Sequence, residues 1–397
     1  MKFAKRVERV KPSATLAITA KANALRMEGR DVISFGAGEP DFDTPLNIGE
    51  AAVSAIRGGF TKYTPVGGID ELKDAIIEKF RRDNQLIYKK SEIVVSCGAK
   101  HVLYNLAQAL FDEGDEVIIP SPYWVSYPDI VLLSGAVPSI LETGGADGFK
   151  ITPDQLEGAI NERTRALVLN SPSNPTGSTY TFEELEALAE IIVEKNILVI
   201  SDEIYEKIIY NEFTFSSIAT VSEDVKQLSV VVNGVSKSYA MTGWRIGYAA
   251  GPEDIISAVT KIQSQNTSNP ASISQKAAVE ALNGDQGAIG GMVEEFSKRR
   301  NYIVDALNKI EGVSCMNPEG AFYAFPDVSS LYGRVYGDKK VTGSASLAEY
   351  FLDAANVAVV PGIAFGSDDH IRLSYATSMK NIREGITRIG NAVKNLK

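Results

Sequence analysis

Seven short apolar runs alternate with helix-like segments through the middle of the chain, and this alternation limits the possible folds more than any other feature. The candidate strands are Ile93–Ser96, Val117–Pro120, Val137–Leu141, Ala166–Asn170, Leu198–Ser201, Leu228–Val232 and Ile246–Ala250. Helix-like segments between them include Lys100–Phe111, Trp124–Ser134, Phe182–Lys195 and Asp254–Ser264. Strands that are apolar throughout are typical of a sheet covered by helices on both faces. The pattern therefore predicts an α/β fold with a mixed, mostly parallel seven-stranded sheet within residues 45–285.

A glycine-rich stretch, Asn283–Gly291, interrupts this alternation and indicates a break in the fold. Beyond it lie a charged helical pattern and further elements, at Met292–Ile310, Ala321–Phe325, Val357–Val360 and from Ser378 onward. We predict a large domain over residues 45–285 and a smaller α+β domain formed by residues 1–44 and 286–397.

Charge and hydropathy exclude several classes of protein. Among the 397 residues, 40 basic and 50 acidic side chains give a net charge of −10, whereas a general nucleic-acid binder needs a basic face. No apolar run reaches the roughly 18 residues of a membrane span. The basic N-terminus lacks the apolar core of a signal peptide. We therefore expect no nucleic acid and no membrane among the partners.

Cysteine and histidine are too few for several kinds of site. Cys97 and Cys315 are far apart and form neither a disulfide framework nor a zinc spacing, which favours a reducing, cytoplasmic compartment. With only His101 and His370, a histidine triad or a histidine metal site is poorly supplied, and we predict no metal. Because histidine is so scarce, lysine is the natural candidate for a side chain that transfers protons.

Polar residues follow three of the candidate strands directly, at positions 170–177, 201–205 and 233–237. In an open α/β sheet the ligand crevice lies beyond the carboxyl ends of the strands. We therefore expect these three segments to converge on one site.

Lys237 and Arg245 lie eight residues apart in the third of these segments. A lysine at a strand end can form a Schiff base with an aldehyde, and an arginine nearby can hold a phosphate of the same molecule. One cofactor, pyridoxal 5'-phosphate (PLP), meets both requirements. An isolated lysine is usually a solvated surface residue, so this interpretation depends on partners elsewhere in the chain.

Asp202 is the first such partner, because it ends a candidate buried strand. It could pair with a protonated pyridine nitrogen and keep the ring electron-poor, or it could be a helix cap or a satisfied core aspartate. Tyr205 and Asn174 could each bond the phenolic oxygen of the ring.

Further candidates contact other parts of a cofactor or substrate. Gly98, Ala99 and Lys100 open a helix that could bind phosphate, although a plain strand-to-helix turn fits as well. Trp124 could stack on a flat ring or be a core aromatic. Arg372, in an apolar strand-like run, could pair with a carboxylate or form a structural salt bridge.

Together the motifs resemble those of the class I aminotransferases with the aspartate aminotransferase fold, which are fold type I PLP enzymes. They are Ser171–Gly177, Ser201–Tyr205, Ser236–Tyr248 and Ile371–Tyr375, and their order and spacing match along nearly the whole chain. A bacterial subgroup of aspartate aminotransferases, some of which use prephenate, is similar also at Lys11–Thr15, Ala37–Pro45, Lys62–Tyr63 and Ser121–Pro128.

The resemblance implies a role for each matching residue. Lys237 would hold the cofactor and move the proton, Asp202 would pair with the pyridine nitrogen, and Asn174 and Tyr205 would bond the phenolic oxygen. The remaining implied cofactor contacts are Trp124 on the ring, and Gly98, Ala99, Lys100 and Arg245 at the phosphate. Relatives often carry a phosphate-binding serine where this chain has Gly234, so Ser236 or another group would have to replace that contact.

The resemblance also implies a substrate and a partner. Arg372, Asn174 and the backbone of Gly38 would take the α-carboxylate, and Lys11 would pair with a second carboxylate when the small domain closes. Tyr63 would reach the phosphate of a neighbouring subunit in a homodimer. The peptide bonds Ser121–Pro122 and Asn174–Pro175 should both be cis. The implied reaction is amino-group transfer between L-aspartate and 2-oxoglutarate, with amino and keto acids as small-molecule partners.

Other functions remain open at this point. An aminotransferase for aromatic or other amino acids, or a PLP-dependent carbon–sulfur lyase, would share nearly all of these motifs. A PLP-fold regulator is disfavoured by the acidic charge. A nucleotide-dependent enzyme is disfavoured because Gly36–Gly38 starts a glycine fingerprint that is not completed, and no phosphate-binding P-loop motif is present.

Overall fold

The computed structural model describes residues 2–12, 14–210 and 213–397. Its strands are β1 (Ile33–Ser34), β2 (Ile93–Ser96), β3 (Glu116–Ser121), β4 (Val137–Glu142), β5 (Thr164–Asn170), β6 (Leu198–Asp202), β7 (Ser229–Gly234), β8 (Gly247–Ala250), β9 (Tyr323–Ala324), β10 (Val335–Tyr336), β11 (Lys339–Lys340), β12 (Val357–Ala358), β13 (Val360–Pro361) and β14 (Ile371–Ser374). Its α-helices are α1 (Lys5–Arg9), α2 (Ala14–Met27), α3 (Leu46–Arg57), α4 (Asp70–Lys79), α5 (Ala99–Leu110), α6 (Tyr127–Ser134), α7 (Pro153–Ala159), α8 (Phe182–Lys195), α9 (Glu223–Gln227), α10 (Glu253–Asn266), α11 (Ser272–Asn283), α12 (Gly287–Leu307), α13 (Ser344–Ala355) and α14 (Met379–Lys394).

The predicted seven-stranded sheet is confirmed. Its strand order is β2-β8-β7-β6-β5-β3-β4, and only β8 runs antiparallel to its two neighbours. Each of the seven predicted runs coincides with one of these strands to within two residues at either end. Asn170 lies opposite Asp202 where β5 and β6 end, so two polar groups meet at the carboxyl edge of the sheet.

Both faces of this sheet are buried. Along β7, Val230 and Val232 pack into one apolar cluster with α5, while Val231 packs into another with α4 and α11. Successive side chains of a strand point to opposite faces, so a strand covered on both sides must be apolar at every position. This explains why the strands read as continuous apolar runs.

A second group of elements uses the N-terminal and C-terminal segments together. Strands β13, β14 and β9 form an antiparallel three-stranded sheet, and β1 pairs with β12 in parallel. Helices α12, α13 and α14 pack against these strands around Phe296, Phe322 and Phe351. The same cluster includes Tyr205 and Ile208, which follow β6, so the large sheet and the small sheet share apolar contacts.

The predicted break at Asn283–Gly291 is wrong in its extent. Helix α11 ends at Asn283 and α12 begins at Gly287, so its first turns contain Gly290 and Gly291. Glycine weakens a helix, but burial of Met292 and Phe296 on the inner face of α12 overrides that local preference.

One of the two predicted cis peptide bonds is confirmed. Ser121–Pro122 is cis, whereas Asn174–Pro175 is trans and the cis bond of that loop is Ser171–Pro172. The Gly177 amide donates to the Ser173 carbonyl at 2.9 Å, so Asn174–Pro175 lies inside a turn that these residues close. No helix in the described ranges has the length and apolar character needed to cross a bilayer.

Candidate active site

A cavity of about 290 Å³ opens at the carboxyl edge of the large sheet. Its lining residues are Thr15, Gly38, Ala99, Lys100, Leu103, Trp124, Tyr127, Asn170, Asn174, Asp202, Ile204, Tyr205, Ser236, Lys237, Arg245, Tyr323 and Arg372. The three segments that follow β5, β6 and β7 therefore meet, as a crevice beyond strand ends requires. All the site residues predicted from the sequence line this cavity except Gly98, Tyr63 and Lys11.

Lys237 lies three residues beyond the end of β7, and its partly buried side chain points into the cavity. Its Nζ donates a hydrogen bond of 2.6 Å to the carbonyl oxygen of Gly38. Burial lowers the pKa of Lys237 to about 8; the Glu39 carboxylate raises it and the Arg245 cation lowers it further. The amine is therefore partly unprotonated near neutral pH and can act as a nucleophile or a base.

Asp202 ends β6 and is 4% exposed. Its Oδ2 accepts a hydrogen bond of 2.7 Å from the Tyr127 hydroxyl, and its Oδ1 accepts one of 3.3 Å from the Ile204 amide. Burial raises the pKa of Asp202 to about 6, and these hydrogen bonds oppose that rise. The carboxyl is thus mainly ionised at neutral pH, with a negative charge directed into the cavity.

Tyr205 follows on the same segment and is buried. Its hydroxyl lies 2.7 Å from the hydroxyl of Tyr323, which comes from β9 of the small sheet. Burial raises the pKa of both phenols, so both are neutral at physiological pH. Tyr127 and Tyr323 also line the cavity, although no sequence motif indicates a role for either residue.

Arg372 lies in β14 and is 2% exposed. Its Nη1 donates to Asn174 Oδ1 at 2.9 Å and its Nη2 donates to the Gly36 carbonyl at 2.8 Å. Its Nε has no hydrogen-bond partner, and no carboxylate of the described residues lies within ion-pair distance of the guanidinium. A structural salt bridge is therefore not what holds Arg372. A buried cation without an anion is costly, so this side chain is suited to an external carboxylate.

The other end of the cavity is suited to an anion. Gly98 precedes α5 with φ +90°, and a side chain there would clash with the guanidinium of Arg245. Arg245 Nη1 donates to the Thr242 carbonyl at 2.9 Å, which directs the guanidinium toward the start of α5. The free amides of that helix start and the exposed Arg245 cation together favour a phosphate.

An aromatic surface lies between the Arg372 end and the Arg245 end of the cavity. The ring of Trp124 lines the cavity, with Lys100 Nζ 4.8 Å from its centroid and the Tyr127 ring at 5.2 Å, edge on. Ser236 is buried beside Lys237 and lines the same cavity, in keeping with its position in the predicted site.

Besides Gly98, two predicted residues lie outside the cavity lining. Tyr63 is 92% exposed, in a loop that lies beside Thr267 and Ser268. The side chain of Lys11 is exposed, and its backbone amide donates to Asp129 Oδ1 at 3.3 Å at the start of α6. The roles implied for these two residues depend on a second subunit and on a closed N-terminal segment.

Comparison with known proteins gives one consistent family. A model of the family described as "Aminotransferase class I and II" matches residues 30–389. An aspartate aminotransferase of Bacillus sp. (strain YM-2) is 54% identical over 395 residues, covering 99% of each chain. An aspartate/prephenate aminotransferase of Nitrosomonas europaea is 53% identical over 394 residues, covering 98% of this chain and 99% of that one.

Solved structures agree with these sequence matches. The aspartate aminotransferase of Rhizobium meliloti is 45% identical with a TM-score of 0.97, and the whole of each chain is covered. An aspartate aminotransferase of Thermus thermophilus, solved with maleate, is 43% identical with a TM-score of 0.93, covering 99% of this chain and 100% of that one. The expected fold is therefore confirmed over the whole chain.

Proposed function

This chain belongs to the class I and II aminotransferases, and from that premise we propose that it is a PLP-dependent aspartate aminotransferase. The proposed reaction converts L-aspartate and 2-oxoglutarate to oxaloacetate and L-glutamate, with prephenate as a further candidate acceptor. The observation that carries the proposal is the meeting of Lys237, Asp202 and Arg372 in one cavity. A partly unprotonated amine, a buried carboxylate and a buried cation without an anion are the groups that this chemistry requires.

The cavity has the groups needed to hold PLP. The free amides of Ala99 and Lys100 at the start of α5, with the Gly98 turn, the Lys100 side chain, Ser236 and Arg245, would bind its phosphate. Asp202 would pair with the pyridine nitrogen, because a carboxylate with a pKa of about 6 is ionised at neutral pH. When bound, PLP supplies an aldehyde that condenses with amines and a ring that withdraws electrons from the substrate α-carbon.

Side chains around the ring would set its position and charge. Trp124 would stack on one face, since its ring lines the cavity. Tyr205 and Asn174 would bond the phenolic oxygen; the Asn174 carbonyl is already fixed by Arg372 at 2.9 Å. That bond couples the position of Asn174 to the cation that would bind substrate.

Arg372 would hold the substrate by its α-carboxylate. Its two terminal nitrogens are fixed by Asn174 and the Gly36 carbonyl, so the guanidinium plane is already oriented, and its unpaired Nε remains as a donor. The backbone of Gly38, two residues beyond the Gly36 carbonyl that Arg372 contacts, would complete the carboxylate site. An oriented cation lowers the entropic cost of positioning the α-carbon.

Lys237 would then move the proton. With a pKa of about 8, its amine would take the proton from the substrate α-carbon near neutral pH and would deliver it to a carbon of the cofactor, as amino-group transfer requires. The 2.6 Å hydrogen bond to the Gly38 carbonyl keeps the amine on the side of the cavity where the carboxylate would lie. One side chain therefore serves as nucleophile and as general base.

Aspartate is favoured as donor by the relatives at 54% and 53% identity, whose names specify aspartate, and by the maleate in the Thermus thermophilus structure. Maleate is a dicarboxylate, as aspartate and 2-oxoglutarate are. Donors with aromatic or other side chains, and a carbon–sulfur lyase activity, are the alternatives. A lyase would release ammonia and a keto acid without consuming 2-oxoglutarate, so the two classes are separated by product analysis.

We further propose a homodimer with shared sites, a cytoplasmic location, and a small domain (residues 1–44 and 286–397) that closes over the large one (residues 45–285). Tyr63 is 92% exposed, so its side chain is free to reach a neighbouring subunit, as the proposed dimer requires. The separate small sheet that contains β14 supports the domain division.

The decisive experiment tests whether the protein binds PLP covalently through Lys237. The purified protein incubated with PLP should show a band near roughly 360–430 nm, expected for a lysine-bound PLP. Borohydride should fix the cofactor to the peptide that contains Lys237, and the Lys237→Ala variant should give no labelled peptide. A panel of donors with 2-oxoglutarate and with prephenate then ranks the substrates. Label on another lysine, or keto-acid-independent ammonia release, would refute the proposal.

A further inference from the structure

Tyr323 is a fully buried residue of β9 that reaches the cavity from the small sheet. Its partner in the adjacent strand is Ser374, two residues beyond Arg372. Its backbone therefore belongs to the sheet that carries the proposed carboxylate site, while its hydroxyl contacts a residue that follows a strand of the large sheet. No other side chain of the described residues contacts both Tyr205 and Arg372 in this way.

The 2.7 Å contact between the Tyr205 and Tyr323 hydroxyls has a direction that chemistry can fix. Each phenol has one proton to donate. If Tyr205 gives its proton to an anionic oxygen of the cofactor, it has none left for Tyr323. Tyr323 must then be the donor and Tyr205 the acceptor. A phenol that accepts a hydrogen bond becomes a stronger donor through its own proton.

The ring of Tyr323 makes a second contact. The guanidinium carbon of Arg372 lies 4.5 Å from its centroid, with the Phe365 ring at 5.0 Å from the same carbon. A cation over the ring stabilises negative charge on the phenol, and Arg372 accordingly opposes the burial that raises the pKa of Tyr323. Tyr323 is thus a better donor while Arg372 retains its full charge.

We propose that Tyr323 is a positioning residue that transmits the charge state of Arg372 to Tyr205, and through Tyr205 to the phenolic oxygen of the cofactor. The proposal rests on the proposed function, because it needs a cofactor oxygen at Tyr205. It assigns a specific consequence to substrate binding. A carboxylate bound at Arg372 neutralises the cation, weakens donation by Tyr323, and so makes the cofactor hold its proton more firmly.

The test is a pH titration of the visible absorbance of the PLP-loaded protein. A hydrogen bond to an anionic oxygen favours the deprotonated form, so losing it moves the titration midpoint to higher pH. Tyr323→Phe should raise the midpoint by about 0.4 to 1 pH unit, the size of one neutral hydrogen bond. Tyr205→Phe should raise it at least as far. The double variant should match Tyr205→Phe alone, because Tyr323 acts through Tyr205.

Kinetics give a second readout. Tyr323→Phe keeps the ring over Arg372, so kcat should fall about 2- to 10-fold while KM for aspartate changes less than twofold. Tyr323→Leu removes the ring as well and should raise KM while giving the same midpoint shift. Tyr375→Phe is the matched control. Its buried hydroxyl contacts Tyr210 and the Ala321 carbonyl, away from the cavity, so its midpoint should equal that of the wild type.

Each outcome decides the proposal. A midpoint unchanged in both Tyr323 variants, or shifts that add in the double variant, would overturn it, since Tyr323 would then act independently of Tyr205. If the midpoint shift of the Tyr323 variants only equalled that of Tyr375→Phe, the effect would come from general loosening of the buried tyrosine cluster. That result would also overturn the proposal. A wild-type protein without any titrating PLP band would refute the proposed function itself, which separates the two failures.

Discussion

The Tyr127 hydroxyl donates a 2.7 Å hydrogen bond to Oδ2 of Asp202, and both side chains are buried. Tyr127 opens α6, whereas Asp202 ends β6, so the bond connects two elements at the base of the cavity. Burial raises the pKa of Asp202 to about 6, and the Tyr127 bond opposes that rise. Tyr127 therefore favours the charged form of Asp202, which is the form that the proposed pairing with a pyridine nitrogen needs.

Removing the Tyr127 hydroxyl should shift the acid limb of the pH profile of kcat/KM to higher pH. In Tyr127→Phe the carboxylate loses a donor, so the Asp202 pKa rises further and the pH below which kcat/KM falls moves upward. We expect kcat/KM to drop roughly 10- to 100-fold near pH 6 and less near pH 8, since a hydrogen bond to a charged group is worth about 1.5–3 kcal/mol. Tyr180→Phe, another buried hydroxyl outside the cavity lining, serves as control. An acid limb at its wild-type position would contradict this role.

Glu203 predicts a pH dependence of stability. It is 1% exposed, accepts hydrogen bonds from the Ser201 and Ser217 hydroxyls at 2.9 and 2.6 Å, and has one oxygen without a partner. Burial raises its pKa to about 8 from 4.5. Between those pH values the unfolded chain releases a proton that the folded chain retains, so the free energy of unfolding falls as pH rises through the window.

Glu203→Gln should remove that dependence while keeping the serine contacts. We expect the variant to match the wild type near pH 5 and to exceed it above pH 8 by about 1–3 kcal/mol in the free energy of unfolding. Urea titrations of the cofactor-free protein across this range measure the difference. A wild-type stability that rises from pH 5 to pH 8 relative to the variant would contradict the prediction.

Lys237 should make cofactor capture depend on pH. Its pKa of about 8 means that the unprotonated amine increases about tenfold per unit up to that pH and then levels off. The rate of PLP incorporation into the cofactor-free protein, followed by absorbance, should show this dependence. A rate that continues to rise toward pH 10 would indicate an ordinary solvated lysine instead.

The sheet and the middle of the site were predictable because both are encoded locally. A strand covered on both faces must be apolar throughout, and the polar residues after β5, β6 and β7 are adjacent in sequence to those strands. Tyr127 and Tyr323 were missed because their roles depend on contacts across 75 and 118 residues of chain. Tyrosine in an apolar run looks like core until the packing is known. The trans bond at Asn174–Pro175 shows the same limit, since the turn is closed by bonds that sequence spacing does not specify.

Tyr63 should act across subunits. Mixing Tyr63→Ala and Lys237→Ala chains after mild denaturation should form hybrids in which one site carries both changes and the other carries neither. We expect the hybrids to recover up to about half of the wild-type activity per dimer, although each parent is nearly inactive. Subunit exchange is checked by native mass spectrometry with a tagged chain. Hybrids that form without recovering activity would place Tyr63 and Lys237 in independent sites.

Lys11 should determine the preference for dicarboxylates. Its side chain is exposed and outside the cavity lining, while its backbone amide is fixed to Asp129, and Thr15, four residues further along, does line the cavity. A small movement of this segment would carry the ammonium over the cavity mouth. There it would pair with the distal carboxylate of aspartate, which is costly to bury without a cation. Arg372 would be occupied by the α-carboxylate, so a second cation would be needed. Lys11→Ala should lower kcat/KM for aspartate roughly 10- to 100-fold, the loss expected for a charge-assisted contact of about 1.5–3 kcal/mol.

For a monocarboxylic aromatic donor, Lys11→Ala should change kcat/KM less than threefold. The control variant Lys5→Ala, which alters an exposed lysine of α1, should leave kcat/KM for both donors unaffected. Equal losses for both donors would assign Lys11 to closure of the segment in general, and an unchanged rate with aspartate would exclude it as the partner of the distal carboxylate.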